Sequence, residues 1–105
     1  MTNDVLRLTA EMMAIDSTSG REGELMAHVA LMLESRGWRV RRIPVSPGRI
    51  CVFAACVNDP IVTLSTHLDT VPPFIAPRIE AGKIHGRGAC DAKGIAAAKI
   101  GRAHV

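Results

Sequence analysis

The chain has 105 residues, 48% hydrophobic and 22% charged, a balance that excludes disorder and fits one globular domain or part of one. Three residues are aromatic, so the core must come from Val, Ile, Leu, Met and Ala. Much of the formal net charge of +3 comes from Arg36, Arg39, Arg41 and Arg42; with no aromatic platform or nucleic-acid motif beside them, they read as a solvated strand face rather than a nucleic-acid interface.

Met1-Thr2-Asn3-Asp4 has neither a basic n-region nor an apolar h-region, so no signal peptide is expected. No run approaches the roughly 18 apolar residues of a membrane span, which points to a cytoplasmic protein with no membrane partner. Thr2 or Asn3 can cap a first helix, with Asp4 near its positive end. Val5, Leu8, Met12 and Ile15 then form one apolar stripe. Asp16-Ser17-Thr18-Ser19-Gly20 breaks it, and Ser19 with Glu22 reads as a capping box for a second helix. Leu25, Val29, Met32 and Leu33 give that helix its buried face, His28 lies on its surface, and Gly37 ends it.

Trp38-Arg39-Val40-Arg41 alternates as a half-buried strand does, and Pro44 and Pro47-Gly48 force a turn. Ile50 to Val57 is almost wholly apolar and predicts a strand covered on both faces. Cys51 and Cys56 fall on opposite faces of it, against a shared disulfide or metal. The odd count of three cysteines, Cys51, Cys56 and Cys90, reads as buried free thiols in a reducing cytosol. Ile61-Val62-Thr63-Leu64 predicts a further strand that delivers His67, and Ile79 to Ile84 a hairpin with Gly82 in its turn. Gly86 and Gly88 suggest close backbone approach or positive φ, and Asp91 to Lys99 suits a helix. Two helices, several strands and a last helix imply a layered α/β domain.

Two stretches carry the chemistry: Ser65-Thr66-His67-Leu68-Asp69-Thr70-Val71-Pro72-Pro73 and Gly86-Arg87-Gly88-Ala89-Cys90-Asp91-Ala92-Lys93-Gly94. A lone histidine at a strand end is usually structural, and a lone aspartate before a helix is usually a cap. Together they form a set. His67 and Asp69 share one face of an extended segment, so Asp69 can reach the second ring nitrogen of His67 and fix its tautomer. Imidazole and carboxylate suit zinc.

These motifs resemble the co-catalytic zinc metallopeptidase and amidohydrolase family of acetylornithine deacetylase, succinyl-diaminopimelate desuccinylase, aminoacylase and glutamate carboxypeptidase. The likeness runs from Met1 to about Lys99. It implies the N-terminal part of a layered α/β/α zinc-exopeptidase-like domain over residues 1–99. It implies that His67 ligates one zinc, that Asp91 bridges two, with cobalt a possible substitute, and that Asp69 is the catalytic acid orienting His67. It also implies a cis Asp91-Ala92 bond and structural roles for Lys93 and Gly94. Cys90 precedes the matched aspartate and is not taken as a ligand.

The implied reaction is hydrolysis of an amide in an N-acyl amino acid or short peptide. Acetylornithine deacetylase-like chemistry is the leading reading; dipeptidase, carboxypeptidase or desuccinylase activity is the alternative. A metal-free binding relative is a rival class, opposed by the intact His67, Asp69 and Asp91. The full-length form is expected to be a homodimer. The family's general-base Glu-Glu pair, third carboxylate ligand and distant histidine lie outside these residues. Residues 100–105 match one reading frame of a common short-read sequencing adapter, so the natural protein is expected to continue differently from about residue 100, leaving His104 without a function.

One imidazole and one shared carboxylate fall short of the roughly four ligands a zinc ion needs. The isolated chain is therefore expected to bind zinc weakly and to catalyse nothing. Equilibrium dialysis that found two tightly held zinc ions on it would refute this.

Overall fold

Aliphatic side chains from three helices meet in one core, described by a computed structural model over residues 2–103. Helix α1 (Thr2–Met13) contributes Leu8 and Met12, α2 (Gly23–Ser35) contributes Leu25, Val29 and Leu33, and α3 (Lys93–Ala103) contributes Ala96 and Ala97. Leu68 joins them from the segment between His67 and Asp69. The alanines of α3 let it lie close against α1, since the side chains at a contact set the distance between helices. Met12 and Leu25 are wholly buried, and truncating such a side chain to alanine typically costs about 2–5 kcal/mol.

Around this core stand two two-stranded antiparallel sheets, so the described residues form a mixed α/β arrangement. Strands β1 (Arg39–Ser46) and β2 (Arg49–Ala55) pair from Arg39 opposite Ala55 to Ser46 opposite Arg49. Helix α2 packs on this hairpin, placing Val40, Val52 and Ala54 against the core. Strands β3 (Arg78–Glu80) and β4 (Lys83–His85) form the expected short hairpin, with Ala81 at φ 50° and Gly82 at φ 75° in its two-residue turn.

Gly37 ends α2 as the sequence indicates. It sits at φ 88°, its N–H donates to the Glu34 carbonyl (3.0 Å), and the Trp38 N–H donates to the Leu33 carbonyl (3.1 Å). These paired bonds satisfy carbonyls that the helix end would leave without partners, in the left-handed conformation that glycine adopts without steric cost.

Several local expectations are corrected. The capping box does not form: Ser19 turns to Asp69, while Glu22 accepts from the Gly20 N–H (3.0 Å) and from Arg49 (2.8 Å). Pro44 does not end β1, which runs through it with an irregularity in register before Ser46. An edge strand tolerates proline because the missing N–H faces no partner. The β2 region is covered on one face only, so Cys51 and Phe53 are exposed, and Cys56 and Cys90 are exposed as well. A two-stranded sheet with a single helix against it has nothing to bury its second face.

Ile61 to Leu64 is extended but forms no strand among the described residues, with Ile61 99% exposed. Apolar side chains favour a strand, but backbone pairing must come from a neighbour, and none lies alongside. His28 is half-buried rather than on the surface, and its Nε2 and the Trp38 Nε1 are buried without hydrogen-bond partners among the described residues. Helix α3 starts at Lys93, two residues after Asp91, and continues past Lys99 to Ala103, with Ile100 against the core. The side chains of Thr2 and Asn3, and all of His104, lie outside the described residues. Among the described residues no helix is long and apolar enough to cross a membrane.

The Arg36–Arg42 cluster is exposed, and Arg42 makes a paired contact with Glu34 at 2.8 and 3.2 Å. A more buried ion pair joins α2 to the hairpin, where Arg49 reaches Glu22. Burial pushes the Glu22 carboxyl upward, but hydrogen bonds and charge from Arg49, with backbone N–H groups, outweigh it and hold Glu22 below the usual glutamate range. A depressed carboxyl stabilises the fold above its unfolded pKa, and that contribution is lost as pH falls through the folded value. Glu22→Gln is therefore expected to cost roughly 1 kcal/mol at pH 7, discounted because Arg49 is partly exposed. The gap from the parent should close as pH falls below about 4, the ordinary glutamate range; urea unfolding at several pH values checks this.

Candidate functional site

The loop between α1 and α2 holds the His67 segment in place of a sheet. The Thr70 N–H donates to the Ser17 carbonyl and the Ser19 N–H donates to the Thr70 carbonyl, both at 2.9 Å, forming an isolated parallel bridge. Ser17, wholly buried, donates its hydroxyl to the Leu68 carbonyl at 2.7 Å. Asp16 accepts from the Thr18 N–H at 3.0 Å, which sets the turn into the loop. Leu68 points into the core, so its neighbours His67 and Asp69 point outward together, as alternation in an extended segment requires.

Asp91 is placed by a different device. Lys93, two residues on, is buried, and its ammonium donates to the Met12 and Ile15 carbonyls at 3.0 and 3.1 Å, where α1 ends. Burial holds its pKa below the usual lysine value, partly offset by Asp16. Its N–H donates to the Gly88 carbonyl at 2.9 Å, closing the loop around Asp91. Gly88 is at φ 91°, and a Cβ there would lie 3.0 Å from the Thr70 side chain and 3.1 Å from that of Lys93, so both backbone and space call for glycine. The Asp91-Ala92 bond is cis, as the resemblance implied, and so is Pro72-Pro73.

The three site residues meet. His67 Nε2 lies 3.0 Å from Asp91 Oδ1. His67 Nδ1 lies 3.1 Å from the Asp69 carbonyl and 3.3 Å from Asp69 Oδ1. The second ring nitrogen thus faces Asp69 as expected, though the carbonyl is the nearer acceptor. The Asp69 carbonyl, with help from Asp91, holds the His67 pKa above the ordinary value despite some burial. A hydrogen bond from Ser19, opposed by burial and joined by the charge of His67, holds the Asp69 carboxyl low. A cleft of about 310 Å³ opens here, lined by Ser19, His67, Asp69, Arg87, Cys90 and Asp91 among others.

The donors, one imidazole and one carboxylate, are of a type that suits a metal ion. Nδ1 faces Asp69, which leaves Nε2 to act as a ligand beside a carboxylate oxygen. Ligands at about 2.0–2.2 Å from a tetrahedral zinc stand roughly 3.3–3.6 Å apart; Nε2 and Oδ1, at 3.0 Å, are at hydrogen-bond distance and would separate by a few tenths of an ångström to share an ion. Among the described residues no group of three or more His, Cys, Asp or Glu side chains is gathered to share one ion. Sequence reasoning did not find Ser19, whose hydroxyl donates to Asp69 Oδ2 at 2.7 Å. It was assigned to a helix cap because a serine three residues before a glutamate has that local signature; its actual partner lies 50 residues away.

Comparison with known proteins places both motifs within a described family. Residues 63–102, spanning both motifs, match the family model described as peptidase family M20/M25/M40. A peptidase M20 domain-containing protein of Schizosaccharomyces pombe is 34% identical over 93% of this chain and 26% of its own length. Probable carboxypeptidases of Aspergillus clavatus and Emericella nidulans are each 36% identical, over 91% and 90% of this chain and 24% and 25% of their own lengths. The chain thus spans about a quarter of the length of these curated relatives. No solved structure matches it significantly.

Because Lys93 donates to two carbonyls at the end of α1, Lys93→Met should leave the Ile15 carbonyl without that donor and the Met12 carbonyl with only the Ile15 N–H at 3.3 Å. A loss of about 2–3 kcal/mol is expected, read from urea unfolding. Full stability in that variant would mean that the ammonium does not anchor the Asp91 loop.

Proposed function

Since this chain belongs to the peptidase family M20/M25/M40, we propose that it is the N-terminal part of a metal-dependent hydrolase that cleaves an amide bond in peptides or N-acyl amino acids. The observation that carries the reading is the approach of His67 Nε2 to Asp91 Oδ1 at 3.0 Å with Asp69 behind the ring. His67 and Asp91 would hold the metal, with zinc suited to one imidazole and a carboxylate, and Asp91 would be shared with a second ion. When bound, such a centre polarises the scissile carbonyl and lowers the pKa of water toward about 7.

The residues of this chain do the positioning. Asp69 keeps the His67 ring turned so that Nε2 faces Asp91, and by holding the Nδ1 proton it raises the basicity of the nitrogen that remains. Lys93 and the backbone around Gly88 fix Asp91 without entering the cleft. Further ligands and the general base would come from polypeptide beyond these residues, within a layered α/β/α domain of a cytoplasmic homodimer.

Among substrates, a peptide with a free C-terminal residue is favoured, because relatives in two fungal genera carry the name probable carboxypeptidase. Deacetylation of acetylornithine rests on the detail of the two motifs alone and stands second. In the full-length gene product, His67→Ala and Asp91→Ala are each expected to lower kcat/KM for dipeptides and N-acetyl amino acids by at least about 100-fold. Chelation should abolish the activity and added zinc restore it. Hydrolysis indifferent to both chelator and variants would sink the proposal.

A further inference from the structure

The hydroxyl of Ser19 makes a contact that its place in the sequence does not foreshadow. It stands in the loop between α1 and α2, with its N–H committed to the Thr70 carbonyl at 2.9 Å. That bond puts the residue directly beside Asp69. Its Oγ donates to Asp69 Oδ2 at 2.7 Å and lies 3.5 Å from the Thr70 carbonyl. The other carboxylate oxygen, Oδ1, is the one that faces His67 Nδ1 at 3.3 Å.

We propose that Ser19 is a positioning residue: its hydroxyl fixes the rotation of the Asp69 carboxylate, so that Oδ1 stands beside the Asp69 carbonyl on the Nδ1 side of the His67 ring and reinforces the ring plane and tautomer that the carbonyl sets. A carboxylate on a single χ2 axis swings freely unless both oxygens are engaged. Charge-assisted O–H···O⁻ bonds are short and strong, and a length of 2.7 Å belongs to that class. The nearby cation does not substitute for it. Arg49 is close enough to Asp69 to feel its charge, but its guanidinium hydrogen-bonds to Glu22. Among the described residues, Ser19 and His67 are the side chains that contact the Asp69 carboxylate.

The order of contacts therefore runs Ser19 hydroxyl, Asp69 carboxylate, His67 ring, Asp91 carboxylate, from the helix-connecting loop to the mouth of the cleft. The consequence for metal affinity rests on the metal-site reading above; the control of the ring does not. Ser19 is exposed, so a threonine methyl has room there and the hydroxyl can be kept or removed without repacking a core.

The test compares the full-length gene product with its Ser19→Ala and Ser19→Thr variants. The first readout is the 15N chemical shifts of the His67 ring at a pH where it is neutral, in the absence of metal. The second is zinc affinity from titration followed on the same resonances. Ser19→Ala is expected to mix the Nδ1–H and Nε2–H tautomers and to weaken zinc binding about tenfold, the low end of what outer partners of metal ligands contribute. Ser19→Thr should keep the parent tautomer and affinity.

Unchanged ring shifts in Ser19→Ala would overturn the proposal. So would a threonine variant as impaired as the alanine one, because the loop's shape and not the hydroxyl would then be responsible. Were the parent to take up no zinc while its ring still responded to Ser19→Ala, the positioning role would stand and the metal-site reading would fall.

Discussion

Two backbone hydrogen bonds, Thr70 to Ser17 and Ser19 to Thr70, hold a segment that has no sheet of its own. The residues before His67, 61–66, are exposed and belong to no strand among the described residues, so strand pairing does not position the imidazole. The loop between α1 and α2 does. It grips the chain at residues 68 and 70 through Ser17, Ser19 and the buried Leu68 side chain, leaving His67 and Asp69 turned to the cleft. Every other feature of the site assumes this grip.

The opposite wall depends on a buried charge. An ammonium in an apolar interior is costly unless its donors are used, and Lys93 uses them on carbonyls at the end of α1. The Ile15 carbonyl lies just past the helix and the Met12 carbonyl otherwise accepts from the Ile15 N–H at 3.3 Å, so a single side chain serves both at the helix end. This links the end of α1 to the start of α3 and sets Asp91 against His67. The α1–α2 connection thus supports both walls, with Ile15 receiving Lys93 and Ser17 and Ser19 receiving the His67 segment. A disturbance of this loop would reach the site from two sides.

The hydrogen-bond chain across the cleft has a direction. Ser19 donates to Asp69, Asp69 accepts from the ring, and the ring's far nitrogen meets Asp91. The arrangement gives one imidazole a defined face toward each carboxylate. Both motifs fall within the family match over residues 63–102.

Local chemistry made much of this legible in the sequence. Gly37 ends a helix and Ala81-Gly82 turns a hairpin because backbone conformation is decided by the residue itself and its nearest neighbours. The meeting of His67, Asp69 and Asp91 could be expected because their residue types, spacing and motifs already limit what they can do together. Burial and pairing followed other rules. Ser19 had a local use as a cap and a distant use on Asp69, and the distant one prevailed once Thr70 was bonded alongside. The apolar run at 50–57 predicted a strand covered on both faces and that at 61–64 a further strand, yet burial needs a second surface and a strand needs a neighbour's backbone. Sequence alone determined which side chains are candidates for the site and where the chain turns, because these depend on short-range sterics and residue type. Tertiary structure decided which of them touch and which apolar faces are covered, because hydrogen-bond partners and packing surfaces are supplied from tens of residues away.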